Sequence, residues 1–240
     1  FIERFKNPKK IIKIIKLSSC IVAGNEYLGD FALNYNSNVV LLPTCIDTDK
    51  YTVRKGKKSD SEKILIGWIG SETTKKFLLG LENALSTLKR KYRNLEFHII
   101  GAEYKSENLG RLYSIPWSLD TELDVLQSID IGVMPLPDNE WTKGKCGFKA
   151  ILYMSVGMPC VCSPVGVNKK LISEGINGFL ANTDKEWVEK LSSLIEDSNL
   201  REKIGMAGRL NVEEKYSIKI NAPKFLDIIK AAYAKRAGGR

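Results

Sequence analysis

Histidine is almost absent from this sequence. Among 240 residues there is one, His98, inside the apolar run from Leu95 to Gly101. A lone histidine on such a run reads as a packed core residue, and it excludes the histidine-rich ligand sets of many transition-metal centres. Cysteine is also sparse. Cys20, Cys45, Cys146, Cys160 and Cys162 are odd in number, and no two have CxxC spacing. That pattern argues against a disulfide framework or a zinc site and for reduced, cytosolic thiols. Cys160 and Cys162 lie two apart in an apparent strand, so both should face the core on one side of it. No apolar run approaches the ~20 residues needed to span a bilayer. The opening stretch starts at Phe1 and lacks the charged, apolar and small-residue order of a secretory signal. The chain is therefore expected to be a cytoplasmic, soluble piece of something longer. Zinc-finger spacing and the aromatic–basic interleaving of single-strand binders are missing, so no nucleic-acid partner is expected. There is no Walker A loop and no GxGxxG.

What is present is an ordinary globular composition with a basic excess. The chain is 43% hydrophobic and 27% charged, with a formal net charge of +9. That suffices for a packed core, and the length fits one large domain or one domain plus a piece of another. The excess favours anionic partners. Its lysines and arginines fall in small groups, such as Lys9, Lys10, Lys13 and Lys16, or Lys55, Lys57 and Lys58, or Lys89, Arg90 and Lys91. Most of these read as solvated surface.

Six short apolar runs punctuate the chain: Cys20–Ala23, Val39–Leu42, Ile64–Ile69, Leu95–Ile100, Ile131–Pro135 and Pro159–Ser163. Several are rich in β-branched residues and most are closely followed by Gly, Pro or Ser, as expected of strands buried on both faces. Helix-period segments separate most of them. Phe77, Leu78, Leu81, Ala84, Leu85 and Leu88 make one apolar stripe, and Trp187, Val188, Leu191, Leu194 and Ile195 make another. Thr183 and Glu186 read as a capping box opening the second of these helices. Alternating strand and helix predicts right-handed crossovers and a doubly wound parallel α/β sheet. Residues 47–63 carry charge and small residues with almost no apolar periodicity and read as a linker. What precedes them is too short to bury its own core, so it reads as the remnant of a preceding α/β domain.

Ligands of doubly wound sheets bind beyond the carboxyl ends of the strands. Three such ends stand out. Gly67-Trp68-Ile69-Gly70-Ser71 runs into a helix that starts with Lys75 and Lys76. Gly101-Ala102 follows the next strand, with Trp117 further along, and that pair either flanks a ligand or belongs to the core. The third end, after Pro135, is the richest: Lys143, Lys145 and Lys149 surround Gly144 and Gly147 at the start of the helix Phe148–Val156. A helix start offers unpaired N–H groups and positive dipole to a phosphate, and lysines add charge. The competing reading is a flexible basic loop before an ordinary core helix. Gly157-Met158-Pro159 should end that helix. The turn Pro164-Val165-Gly166-Val167-Asn168 then lies beside the lysine loop if the two strands are neighbours.

These motifs resemble the donor half of a family 4 (group 1) retaining glycosyltransferase. The resemblance rests on Asp130-Ile131-Gly132-Val133-Met134-Pro135, Lys143-Gly144-Lys145-Cys146-Gly147-Phe148-Lys149, Tyr153-Met154, Gly157-Met158-Pro159, Ser163-Pro164-Val165-Gly166 and Asn177-Gly178-Phe179. The tail Leu200-Arg201, Gly205, Ala207-Gly208-Arg209 and Tyr216-Ser217 extends it, and together it spans roughly residues 20–220. It implies the C-terminal, Rossmann-like half of a GT-B fold. Residues 1–47 would be the end of an N-terminal acceptor domain, 48–63 a linker, 64–216 the nucleotide-sugar domain and 217–240 a crossover helix and tail. It also implies transfer of a hexosyl-type sugar from a nucleotide-diphosphate sugar, in glycan or polysaccharide biosynthesis, with no cofactor and no metal. The implied partners are the nucleotide sugar, a glycan or lipid-linked acceptor and the rest of the acceptor domain. Basic Phe1–Leu17, with Ile11, Ile12, Ile14 and Ile15, reads either as a helix packed on the rest of the acceptor domain or as a peripheral contact with anionic lipid at the inner face of the membrane.

The donor residues this implies are Gly70, Ser71, Lys76, Lys145, Gly147, Phe148, Lys149 and Gly166, with no catalytic residue assigned. Two acids usual in the family fall on Gly144 and Leu152, and a usual arginine falls near Ser71. A leucine cannot accept the hydrogen bond from a ribose hydroxyl, so the lysines carry the functional argument. The alternative is a non-catalytic nucleotide- or partner-binding module.

Overall fold

In the computed structural model, which describes residues 8–54, 63–109 and 112–237, the apolar runs assemble into two separate parallel sheets. The small one pairs β1 (Ile21–Ala23) with β2 (Val39–Leu41). Helix α1 (Pro8–Leu17) precedes it and α2 (Glu26–Leu33) links its strands. The large one contains β3 (Ile64–Ile69), β4 (Leu95–Ile100), β5 (Leu112–Ile115), β6 (Ile131–Met134), β7 (Cys160–Cys162) and β8 (Phe179–Leu180), in the order β5-β4-β3-β6-β7-β8. The chain winds outward from β3 to β5, then returns to the other side of β3 and winds outward again to β8. That reversal places a topological switch point between β3 and β6. The doubly wound parallel sheet expected from the alternation of elements is therefore present.

Two strands were not anticipated. β5 carries a tyrosine and a serine in four residues and sits at the sheet edge, where burial does not impose an apolar run. β8 has two residues, too few for any periodicity. The stripe from Phe77 to Leu88 was expected to be one helix. It divides into a 3-10 segment, Lys75–Leu81, and α3, Glu82–Lys91. Gly80 lies within the 3-10 part, where the missing β-carbon weakens α-helix propagation. Its Leu78, Leu81, Ala84, Leu85 and Leu88 stay buried all the same, and each leucine contributes about 1.5–3 kcal/mol by leaving water.

The remaining helices are α4 (Glu122–Ser128), α5 (Glu140–Lys143), α6 (Phe148–Ser155), α7 (Asn168–Leu171), α8 (Asp184–Glu196), α9 (Ser198–Lys215) and α10 (Ile218–Ala237). Thr183 and Glu186 form the expected capping box of α8. Helices α3 and α8 cover one face of the sheet, packing on Ile66, Trp68, Phe97, Val133 and Val161. Helices α4 and α6 cover the other, packing on Ile69, Ile100, Met134, Cys160 and Cys162. The two cysteines lie on one side as expected, fully buried, with their sulfurs 3.9 Å apart. His98 is half-buried on β4, its ring 5.1 Å from that of Tyr113 and its Nε2 3.5 Å from Glu96 Oε2.

The stretch read as a linker begins with packed residues. Ile46 bridges Ser217, its amide donating to Tyr216 and its carbonyl accepting from Ile218. Tyr51 is buried, and Arg209 of α9 donates to the carbonyls of Thr48, Tyr51 and Ser155. Lys55, Lys57 and Lys58 lie outside the described residues, as does Phe1 to Asn7 of the basic opening segment. Among the described residues, no helix is long and apolar enough to cross a membrane.

Candidate functional site

The ladder between β3 and β6 is short. It pairs Ile66 with Ile131 and Gly67 with Gly132, and then the strands part. Tyr153 of α6 fills the gap. Its hydroxyl accepts from the Ile69 amide at 3.0 Å and donates to the Val133 carbonyl at 3.2 Å, so one phenol replaces the next rung. Gly132 leaves space for this ring, since a β-carbon there would stand 2.5 Å from Tyr153 Cδ2. The separation of β3 and β6 at the switch point is thus set by a fully buried side chain.

Lys149 lies one helical turn before Tyr153 on α6, at the mouth of this crevice. Its Nζ is 4.0 Å from the centre of the Trp68 ring, and a β-carbon on Gly70 would come within 2.6 Å of it. Among the described residues this ammonium makes no ion pair and no hydrogen bond, and the indole face lies against it. Burial, followed by the charge of Lys145, pulls its pKa down to about 7. A desolvated cation without a counter-ion is poised to accept an anion.

The other expected residues distribute unevenly around it. Lys145 and Lys76 converge, their ammonium groups 5.9 and 5.8 Å from the centre of the same Phe77 ring. Lys145 also lies 5.5 Å from the Trp141 ring. Lys143, by contrast, is paired with Asp138 at 3.2 Å. Lys75 bonds Glu72 at 2.5 Å and the Glu103 carbonyl at 2.8 Å, beside a shallow groove of about 360 Å³ that includes Lys76 and Tyr104. Ser71 is exposed, and its amide and hydroxyl bond Thr74 and Thr73 within the turn. Phe148 is 45% exposed at the start of α6.

Gly147 is the N-cap of α6 with φ +71, and no side chain caps this helix. The left-handed backbone explains the glycine, and the uncapped first turn leaves donors free beside the lysines. The turn at Gly166 does lie against the lysine loop: β6 and β7 are neighbours, and a β-carbon on Gly166 would stand 2.9 Å from the Lys143 carbonyl oxygen. Leu152 and Gly144, where acids were expected, are respectively 2% exposed in the core and the C-cap of α5. Neither brings a polar side chain to the crevice.

Three contributors were not identified from sequence. Trp68 and Tyr153 stood inside recognised motifs but had no assigned role, because only the fold shows that one underlies Lys149 and the other separates the strands. Asn25 is the third. Its side chain caps α2 by accepting from the Leu28 amide at 2.9 Å and donates to the carbonyls of Lys145 (3.0 Å) and Lys143 (3.3 Å). The small sheet is thereby stitched to the lysine loop, across 120 residues of sequence.

Several solved structures share this architecture. A glycosyltransferase from Rickettsia africae ESF-5 superposes with a TM-score of 0.74 at 17% identity, covering 95% of this chain and 68% of that one. Anabaena Alr3699/HepE, solved in complex with UDP and glucose, gives 0.74 at 13% identity, covering 96% and 68%. Sucrose-phosphate synthase from Thermosynechococcus elongatus gives 0.74 at 13% identity, covering 93% of this chain and 61% of that one. Spore coat protein SA of Bacillus subtilis (strain 168) is 28% identical over 78 residues, 31% of this chain. The chain spans only 21% of the length of that curated relative. At these identities the structures establish the fold. The family follows from the sequence itself: residues 63–197, more than half of the chain, match the model described as glycosyl transferases group 1, and the chain belongs to that family.

Proposed function

We propose that this chain binds a nucleotide-diphosphate sugar at the β3–β6 crevice and forms the donor side of an enzyme that transfers the sugar to an acceptor. The carrying observation is the unpaired, desolvated ammonium of Lys149 at the topological switch point, with the charge of Lys145 acting on it and Lys76 sharing the Phe77 ring with Lys145. Negative charge builds on the diphosphate as the glycosidic bond breaks, and preorganised cations in a low-dielectric site stabilise it at no reorganisation cost. Anabaena HepE holding UDP and glucose on the same fold supports this reading. In this reading transfer is of a hexosyl-type sugar with retention of configuration, as in family 4, and serves glycan or polysaccharide biosynthesis. Residues 1–47 close an acceptor domain, 48–63 link it to the donor domain, and α10 crosses back towards it. The acceptor is a glycan or a lipid-linked sugar. The exposed Ile11, Ile14 and Leu17 of α1, with Lys13 and Lys16, favour contact with anionic lipid at the inner membrane face.

Calorimetry with UDP, GDP and ADP tests the site. Lys149→Ala should weaken binding about 10- to 150-fold, from ~1.5–3 kcal/mol per charged hydrogen bond. Unchanged affinity removes Lys149 from the site. A second reading is favoured by Leu152 and Gly144, which leave the crevice without carboxylates: a module that binds the nucleotide without turnover. Product formation from a panel of nucleotide sugars by the complete protein would exclude it, and tight binding with no transfer or hydrolysis would establish it.

A further inference from the structure

The surroundings of Lys149 suit an amine better than an ammonium. From β3 it meets the face of the Trp68 ring at 4.0 Å and the backbone at Gly70, where a β-carbon would come within 2.6 Å of Nζ. From its own loop it meets the charge of Lys145, whose ammonium shares the Phe77 ring with Lys76 of the 3-10 segment. One turn further along α6, the Tyr153 hydroxyl is held between the Ile69 amide and the Val133 carbonyl, and burial pushes it up, so it stays protonated. The acids of the neighbouring loops are engaged elsewhere or exposed. Asp138 pairs with Lys143 and Glu72 with Lys75, while Glu103 and Glu140 are exposed. Lys149 therefore has like charge acting on it and no ion pair among the described residues, and both conditions favour the neutral form. Burial, then Lys145, bring its pKa down to about 7. Roughly half of it carries a lone pair at pH 7, against about one part in 2,500 for an ordinary lysine. A lysine that is desolvated and next to another cation is an activated nucleophile. This one is half-buried rather than sealed.

We infer that Lys149 is a nucleophilic amine that forms a reversible imine with phosphorylated aldehydes, their phosphate held by Lys145 and the amides that open α6. The step needs no oxidant and no reductant. The Nζ lone pair adds to the carbonyl carbon, a proton passes from nitrogen to the carbonyl oxygen, and the carbinolamine loses water to leave a C=N bond. The phosphate directs the aldehyde to this amine, because α6 starts at Gly147 without a side-chain cap and the charge of Lys145 acts at the same place. That phosphate contact rests on the anion-binding reading of the crevice; the nucleophile does not. The consequence goes beyond sugar transfer. An open-chain sugar phosphate, or any phosphorylated aldehyde of similar size, closes the donor site covalently and reversibly.

Pyridoxal 5′-phosphate is the probe, and pyridoxal is its phosphate-free counterpart. The whole chain is treated with a limiting amount at pH 7, the imine is reduced with borohydride, and the labelled peptides are mapped by mass spectrometry. Lys149 should react about tenfold or more faster than any other lysine, which allows for the weaker nucleophilicity of a less basic amine. Its rate should rise through a midpoint near pH 7 and then level off, whereas the other lysines keep rising towards their ordinary pKa. Pyridoxal should label it about 10-fold more slowly, the value of one charged phosphate contact. Saturating pyrophosphate should suppress labelling at Lys149 and leave the other lysines unchanged. Lys149→Met should lose the fast-reacting site while the slow labelling elsewhere persists, with urea unfolding as the check on its fold. Label spread evenly over exposed lysines, or a Lys149 rate that climbs with pH as theirs do, would overturn the nucleophile. Equal rates with pyridoxal and its phosphate would overturn the phosphate contact. If pyrophosphate leaves fast labelling of Lys149 untouched, the nucleophile stands and the donor-site reading of this lysine fails.

Discussion

The ammonium of Lys149 offers the sharpest quantitative test, because it makes stability and ligand binding depend on pH in one connected way. Its pKa lies at about 7, far below the ordinary 10.5, chiefly through burial. That displacement corresponds to a penalty of up to about 5 kcal/mol on the charged form, at ~1.36 kcal/mol per pKa unit. Between pH 7 and 10.5 the unfolded chain still holds this proton while the folded chain has released it. The unfolded state thus binds more protons, and the contribution of Lys149 to stability rises with pH across that window. Below about pH 7 the penalty is present in full; above about 10.5 it has gone. Replacing Lys149 by Met keeps the stem packed and removes the charge. At pH 7 the variant should be more stable than wild type by up to about 4 kcal/mol, with the difference shrinking steadily towards pH 10. Urea unfolding of both proteins from pH 6.5 to 9.5 reads this directly. The difference between them isolates Lys149 from Lys91, Lys190 and Lys219, which are shifted the other way. A pH-independent difference, or a variant less stable than wild type at pH 7, would refute a desolvated cation. The same physics predicts proton uptake on binding. A diphosphate against Nζ restores the charged form, so UDP binding at pH 7.5 should take up about 0.5–1 proton in wild type and none through this site in Lys149→Met. Calorimetry in buffers of different ionisation enthalpy measures it.

Three further outcomes follow from other contacts. Arg209→Met leaves the carbonyls of Thr48, Tyr51 and Ser155 without their shared donor, and thermal unfolding should show a loss of about 3 kcal/mol or more, at ~1–3 kcal/mol for each buried acceptor left unsatisfied. Gly205→Ala drives a β-carbon into the Gly157 carbonyl where α9 crosses the end of α6; urea unfolding should record a loss of about 1–3 kcal/mol from overpacking, whereas Gly80→Ala, with open space around it, should be neutral or stabilising. Asn25→Ala removes two hydrogen bonds to the lysine loop; pyrophosphate affinity should fall severalfold, and protease cleavage within residues 140–147 should accelerate. Unchanged cleavage would show that the loop holds its shape without the small sheet.

The elements that sequence determined are those whose residues carry a period or a local cap. Ile131–Met134 and Cys160–Cys162 are buried on both faces, so nothing but an unbroken apolar run could occupy them. Thr183 and Glu186 close a capping box within four residues and need no distant partner. Gly157 ends α6 by its own left-handed backbone, φ +70. The lysine loop was legible for the same reason: glycines and lysines clustered before a helix are a local pattern. The structure alone decided how these pieces act. Lys143, Lys145 and Lys149 are equivalent as letters, yet one is neutralised by Asp138, one lies over aromatic rings, and one is buried without a counter-ion. Charge state depends on desolvation and on what lies within a few ångströms, and those neighbours arrive from β3, the 3-10 segment after it, and α5 with the loop before it. Tyr153 separates β3 from β6, and Glu122 joins Tyr51 to Trp117, through contacts spanning 84 and 71 residues. Side-chain periodicity reports which face a residue shows to the core. It cannot report which distant backbone a hydroxyl or a carboxylate will meet there, because that is fixed only when the strands have taken their order in the sheet.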